Sequence, residues 1–191
     1  EHRLTWACLR VLLDCPGARV LVHTRSPLVL DDLELLKTFG DRLTVGLSIP
    51  TDDDTVRQVT EPEAPSIPTR WATAEKLARA GVEVGISVAP LMPVRDPRAF
   101  ARRARESGAG HAWVGRLRLL KDDPFFQLLS DQGWLWILKP EAAEELRSAL
   151  QQAMPAHRGC TKLPRNPSPR ATPDRRPAPP RYLQQGLFEG I

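Results

Sequence analysis

The residues whose types could do chemistry collect where short apolar runs end. Thr24-Arg25-Ser26 closes "RVLVH", Ser48 closes "LTVGL", and Ala89-Pro90 follows "VEVGISV". An arginine offers a planar fork of N–H donors that can hold a carboxylate at two points. A serine hydroxyl adds one donor and an acceptor. Such groups at a strand end suit a ligand contact, and for Ser48 a turn hydroxyl is the structural alternative. Other chemistries find no support. There is no Ser/His/Asp or Cys/His arrangement and no phosphate-binding glycine loop. His23 and His111 have no partner at metal spacing and read as satisfied, partly buried histidines. Asp52-Asp53-Asp54 lack the alternating ligands and glycine of a calcium loop and read as complements to a helix dipole. Trp113, Trp134 and Trp136 read as core or sheet-edge packing. Cys8, Cys15 and Cys160 fit no metal or disulfide pattern, which points to reduced thiols in a cytoplasmic protein, with Cys8 a small buried hydrophobe.

The elements that must position these residues alternate. The spacing predicts a helix over Leu4 to Leu13, ended by Pro16-Gly17. A strand over Arg19 to His23 runs into a helix opened by Pro27 and closed by Gly40, with Asp31, Asp32 and Glu34 near its positive end. Leu43 to Ser48 is a second strand, and Thr51 or Asp52 caps a short helix. Then follow a proline-rich loop, a helix over Pro68 to Ala80, a strand over Val82 to Val88, a helix over Asp96 to Ser107 and a strand over His111 to Val114. Phe125 to Gln132 and Pro140 to Met154 are helical. Strands alternating with helices of this length imply an α/β fold with parallel strands joined by crossovers. The strands read as continuously apolar, as when both faces are covered. A barrel and an open doubly wound sheet both satisfy this pattern, and both bind ligands at the carboxyl ends of their strands.

The chain has 191 residues, 41% hydrophobic and 26% charged, the composition of a globular protein, with no run apolar enough to span a membrane. Its N-terminus, "EHRLTWACLR", does not read as a signal peptide. The net charge of +4 is unevenly placed. Residues 155–191 hold seven Lys/Arg against two acids and eight of the 19 prolines, which leaves residues 1–154 close to neutral. Residues 1–154 are therefore expected to fold, and 155–191 to form a Pro/Arg-rich disordered tail.

Four blocks occur in a fixed order: "EHRLTWACLRVLL", "VLVHTRSPLVLDDLELL", "VGLSIPTDDDTVRQVTEPEAPSIPTRWATAEKLARAGVEVGISVAPLMP" and "LRLLKDDPFFQLL". Together, over roughly residues 1–135, they resemble the C-terminal half of radical S-adenosylmethionine (SAM) proteins of the spore photolyase and DNA-repair-photolyase-like group. The resemblance implies the C-terminal part of a partial (β/α)6 TIM-type barrel. It implies a 4Fe–4S cluster and S-adenosylmethionine at the strand ends, and reductive cleavage of the sulfonium to a 5′-deoxyadenosyl radical. Arg25 matches a basic residue, usually Lys in the family, that contacts the SAM carboxylate, with Ser26 beside it, and Ser48 matches a strand-end serine on the same cofactor. Val88-Ala89-Pro90 would offer backbone groups to adenine. Glu61 and Arg70 match a Glu-Pro…Arg pair, read first as a loop-bracing ion pair and second as ligand contacts. Two departures matter. Trp6 stands where the family often has Arg, and the CxxxCxxC motif that supplies three thiolates to the cluster is absent.

Beyond the Pro/Arg-rich stretch, Gln184, Leu187 and Phe188 in "QQGLF" resemble the Gln-x-x-Leu-Phe peptide by which repair proteins dock on the DNA sliding clamp. The arginines of the tether add attraction to DNA phosphates. Two readings follow. In one, implied by the resemblance, the chain is part of a radical SAM enzyme related to DNA repair, whose cluster ligands are expected upstream of Glu1. In the other, it is a non-catalytic remnant or binding module that works by docking. Either way, two unpaired strand edges predict self-association of the isolated chain.

Overall fold

The structure is a computed structural model that describes residues 3–120 and 122–154. The clamp-like peptide at Gln184, Leu187 and Phe188, the expected disorder of the tail and Cys160 all lie outside the described residues.

Four parallel strands form one sheet in the order β1-β2-β3-β4. They are β1 Val20–Thr24, β2 Leu43–Ser48, β3 Glu83–Val88 and β4 His111–Val114. Strand order follows chain order, so every connection is a crossover in the same sense, as in a segment of a (β/α) barrel. The register aligns Val22 with Val45 and Val84, and Thr24 with Leu47, Ile86 and Ala112. The helices are α1 Leu4–Leu13, α2 Leu33–Thr38, α3 Asp54–Thr60, α4 Ile67–Arg79, α5 Pro97–Glu106, α6 Pro124–Asp131 and α7 Pro140–Ala153. Two of the long helices, α4 and α5, have a clear local cause. The Ser66 hydroxyl accepts the Thr69 N–H and Pro68 occupies the first turn of α4. The Asp96 carboxylate accepts the Arg98 and Ala99 N–H groups at 2.9 Å each, with Pro97 as the first residue of α5. Gly81 and Gly108, both at positive φ, end these two helices.

One core lies between the sheet and its helices. Val45, Leu47, Val84 and Ile86 of the sheet pack with Leu36 and Phe39 near α2, Trp71 and Leu77 of α4, Phe100 and Ala104 of α5, and Leu146 and Leu150 of α7. Trp71 meets Phe100 edge-on at 5.3 Å between ring centroids.

Several expectations change. The strands are not continuously apolar. In β1 only alternate residues are covered, and in β2 and β3 the alternate positions are Thr, Gly, Ser or Glu. Helices cover one face of the sheet, and glycines imitate apolar residues on the other. The helix expected from Pro27 to Gly40 begins as a 3-10 turn over Pro27–Asp32, and the α-helix starts at Leu33. The cap of α3 is neither Thr51 nor Asp52. Asp53 accepts the Thr55 N–H at 2.8 Å, while Thr51 is buried and donates to the Pro93 carbonyl at 2.5 Å. Cys8 is exposed because α1 buries only Leu9. His23 and Trp136 are also exposed, His23 because it points away from the helices at a sheet edge.

Candidate ligand site at the strand ends

The face of the sheet turned away from the helices is built in rows. Leu21, Thr44 and Glu83 form the lowest row, and His23, Gly46, Gly85 and His111 the next. Ser48, Ser87 and Trp113 form the row at the strand ends. The two glycines exist for Trp113. A Cβ on Gly46 would lie 2.7 Å from Cη2 of that indole, and one on Gly85 would lie 2.7 Å from its Cζ3 and collide with the His111 imidazole. The indole therefore rests on the backbone of β2 and β3. Its ring is tilted against His23 at 4.9 Å and stacked on His111 at 5.5 Å. This aromatic layer lies on the open face of the sheet, below the rim formed by the strand ends.

On that rim stands a network of three charged side chains. Arg70 of α4 is fully buried, 0% exposed. It donates from Nη1 to the Ser48 carbonyl at 3.0 Å, from Nε to the Pro65 carbonyl at 2.9 Å and from Nη2 to Glu61 Oε2 at 2.5 Å. A buried guanidinium needs such partners, because an uncompensated charge there would cost several kcal/mol. Glu61, 16% exposed, uses its other oxygen to accept from Arg25 Nη1 at 2.6 Å. Arg25 follows β1 and is 51% exposed. Only its Nη1 is engaged, so the rest of the fork is available to a second carboxylate. Glu61 thus ties the end of β1 to the end of β2 through a residue with no freedom to move.

The loops around the rim are braced in the same way. Arg57, which sequence reasoning missed, pairs with Asp54 at 3.0 Å and donates to the carbonyls of Pro62 and Ala64, tying down the loop that carries Glu61. Its pKa is raised, chiefly by the bond to Asp54. Asp54 is held below the usual carboxylate range by Arg57 and by the Ile67 N–H. For Asp53, burial acts to raise the pKa, but the Thr55 N–H and the Arg95 guanidinium outweigh it and the net direction is down. Asp52 accepts the N–H groups of Arg95 and Asp96. The acidic triplet thus makes one helix cap and two loop ties.

The remaining sequence-derived positions fall as follows. Ser26 accepts the Leu28 N–H at 3.2 Å and begins the 3-10 turn. Ser48 and Ser87 stand side by side in the top row. The Ala89-Pro90 peptide bond is cis, and Ala89 lies so close to Gly115 that a Cβ there would come within 2.8 Å of the Ala89 methyl. The structure therefore gathers Arg25, Glu61, Arg70 and Ser48 directly. Ala89-Pro90 closes the neighbouring strand. A cavity of about 400 Å³ opens beside β1, lined among others by Arg3, Leu9, His23, Thr24, Ser26 and Asp32, with an Arg3–Asp32 ion pair at its edge. No contiguous stretch of sequence marks it, since its walls come from α1, β1, the 3-10 turn and α2.

The residues present do not fit an iron–sulfur cluster. Cys8 and Cys15, seven positions apart on α1 and just past it, are both exposed. Among the described residues no group of three His, Cys, Asp or Glu side chains could hold a metal ion. Arg25, half exposed and anchored from behind by Glu61, can instead take a carboxylate.

No protein-family model matches the chain. Among curated proteins, a stretch of 77 residues is 36% identical to an uncharacterized protein, ORF301, of Acidianus two-tailed virus, covering 40% of this chain and 26% of that one. Among solved structures, a spore photoproduct lyase mutant with bound AdoMet and dinucleoside spore photoproduct superposes with a TM-score of 0.54 at 18% identity, over 83% of this chain and 55% of that one. A spore photoproduct lyase complexed with dinucleoside spore photoproduct gives a TM-score of 0.53 at the same identity and coverage. The fold is similar to that of about half of spore photoproduct lyase. The chain spans about half the length of that enzyme and about a quarter of the viral protein. The α/β class, the parallel strands and the partial TIM-type barrel expected from sequence are thereby met. No helix among the described residues is long and apolar enough to cross a membrane.

Proposed function

We propose that this chain forms the C-terminal part of a radical SAM barrel and contributes the half of the site that grips the amino-acid end of S-adenosylmethionine. The observation that carries this is the Arg25–Glu61–Arg70 network, because it fixes a half-exposed guanidinium at the carboxyl end of a barrel strand. In the solved neighbour the same fold is seen with AdoMet bound. Arg25 takes the carboxylate with its unengaged N–H groups, and Glu61 holds the fork in place at the strand end. Ser48 adds a hydroxyl from the next strand, Ser26 sets the turn that carries Arg25 away from β1, and the Ala89-Pro90 backbone borders the adenine side. Bound S-adenosylmethionine supplies one-electron chemistry at its sulfonium when a cluster is present, and cluster ligands would have to come from outside the described residues. A nucleic-acid lesion is the substrate class to test first, given the dinucleoside in the neighbour.

The test is calorimetric titration of the chain with S-adenosylmethionine. Saturable binding is expected, weakened about tenfold or more in Arg25→Ala, as for loss of a charge-assisted contact, and largely kept in Arg25→Lys. Absence of binding, or equal affinity in the Arg25→Ala variant, would overturn the assignment.

A further inference from the structure

Twelve of the sixteen arginines among the described residues have a partner there: an acid, a carbonyl or an aromatic ring. The side chains of Arg98, Arg102, Arg105 and Arg118 make no hydrogen bond, ion pair or ring contact with another described residue. Three of the four lie on one helix, α5, and at spacings of four and three residues they share its solvent face, opposite buried Phe100, Ala101 and Ala104. We infer that this stripe of α5 is a binding surface for the phosphodiester backbone of a nucleic acid, separate from the strand-end site.

Fold stability gives no reason for the stripe. Arg98 sits in the first turn of α5, where the helix dipole disfavours a positive charge. The acids nearby are already engaged. Asp96 caps the helix, Asp52 accepts the Arg95 and Asp96 N–H groups, Asp54 binds Arg57 and the Ile67 N–H, and Glu75 pairs with Arg79 and Arg103. The Asp96 pKa is lowered first by the Ala99 N–H, and the charges of Arg102 and Arg98 add to this without forming an ion pair. Glu106 lies on the same helix yet forms no ion pair with Arg102.

The geometry suits a linear polyanion. With a rise of about 1.5 Å per residue, the three guanidinium stems are spaced by about 6 and about 4.5 Å along a rigid axis. Each fork can take two phosphate oxygens, and phosphate contacts fix register without reading sequence. A membrane surface is a poorer match, because α5 exposes no large apolar side chain to insert.

The experiment is fluorescence anisotropy of the full chain with a labelled single-stranded DNA of mixed sequence, over a range of salt concentrations. The triple variant Arg98→Gln, Arg102→Gln, Arg105→Gln should bind about tenfold more weakly or worse near 0.1 M salt. Its plot of log affinity against log salt should be shallower by about 2, the share of three phosphate contacts to a single strand. The triple lysine variant should keep the parent slope, since it keeps the charge. An unchanged slope and affinity in the glutamine variant would overturn the inference, because binding would then come from the basic tail or elsewhere. Failure of the parent chain to bind DNA would overturn it too. Neither result bears on S-adenosylmethionine binding at Arg25, so the two assignments fail separately. Surface substitutions of this kind should leave the melting curve unchanged.

Discussion

Toward the helices the sheet presents Val45, Leu47, Val84, Ile86 and Val88, all buried. Toward its open side the same strands present Thr44, Gly46, Ser48, Gly85 and Ser87, with His23, Trp113 and His111 lying across them. The first face is held by area removed from water and tolerates little change in volume. The second is held by close approach of one indole to two glycines and by three charges at the rim. The contrast separates what makes the barrel segment fold from what makes it a site.

The contrast can be broken at the rim first. Arg70→Met removes a buried charge that holds Glu61, the Ser48 carbonyl and the Pro65 carbonyl together. A loss of about 3–5 kcal/mol in urea unfolding is expected, together with loss of ligand binding. A change below about 1 kcal/mol, the scale of a surface pair, would show that the network is not structural. On the helix-facing side, Leu47→Ala should cost about 2–5 kcal/mol, while Ser48→Ala, one residue on, should leave stability within about 0.5 kcal/mol. Equal effects would mean that the two faces do not differ as described. Gly85→Ala should cost about 1–3 kcal/mol by overpacking. Part of that loss should be recovered by Trp113→Ala in the same chain, measured as a double-mutant cycle.

The smallest effect is acidic. Asp53, Asp54 and Asp96 have folded-state pKa values lowered from normal. Their stabilisation is complete above the unfolded value of about 4 and is lost as pH falls through the folded values. Melting temperature should therefore drop as the pH falls below about 4. Asp96→Asn should shrink that drop while keeping the helix cap, and an unchanged pH profile would count against the cap as a source of acid sensitivity.

Much of the fold was legible because α4 and α5 carry their own starts and stops. Ser66 with Pro68, Asp96 with Pro97, and Gly81 and Gly108 are local signals, and local signals survive in a string of letters. The two-faced strands were not. "LTVGLS" and "EVGISV" alternate, but a glycine under an indole looks apolar until Trp113 is seen to lie on it. At the site, Arg25, Ser48, Glu61 and Arg70 could each be singled out. What joins them could not. Arg25 and Glu61 are 36 positions apart, and Glu61 has two arginines within reach. Nor could the acidic triplet be sorted into one cap and two loop ties, because the partners of Asp52 and Asp53 around Arg95 come from a loop more than forty residues away.

The central claim is that Arg25, held by Glu61, receives the carboxylate of S-adenosylmethionine. Its most direct test compares S-adenosylmethionine with decarboxylated S-adenosylmethionine on the parent chain and on Arg25→Ala. Removing the carboxylate is expected to weaken binding to the parent by about tenfold or more, about 1.4 kcal/mol or above, and to change binding to the variant hardly at all. Equal loss on both proteins would contradict it, because the carboxylate would then be held by something other than Arg25.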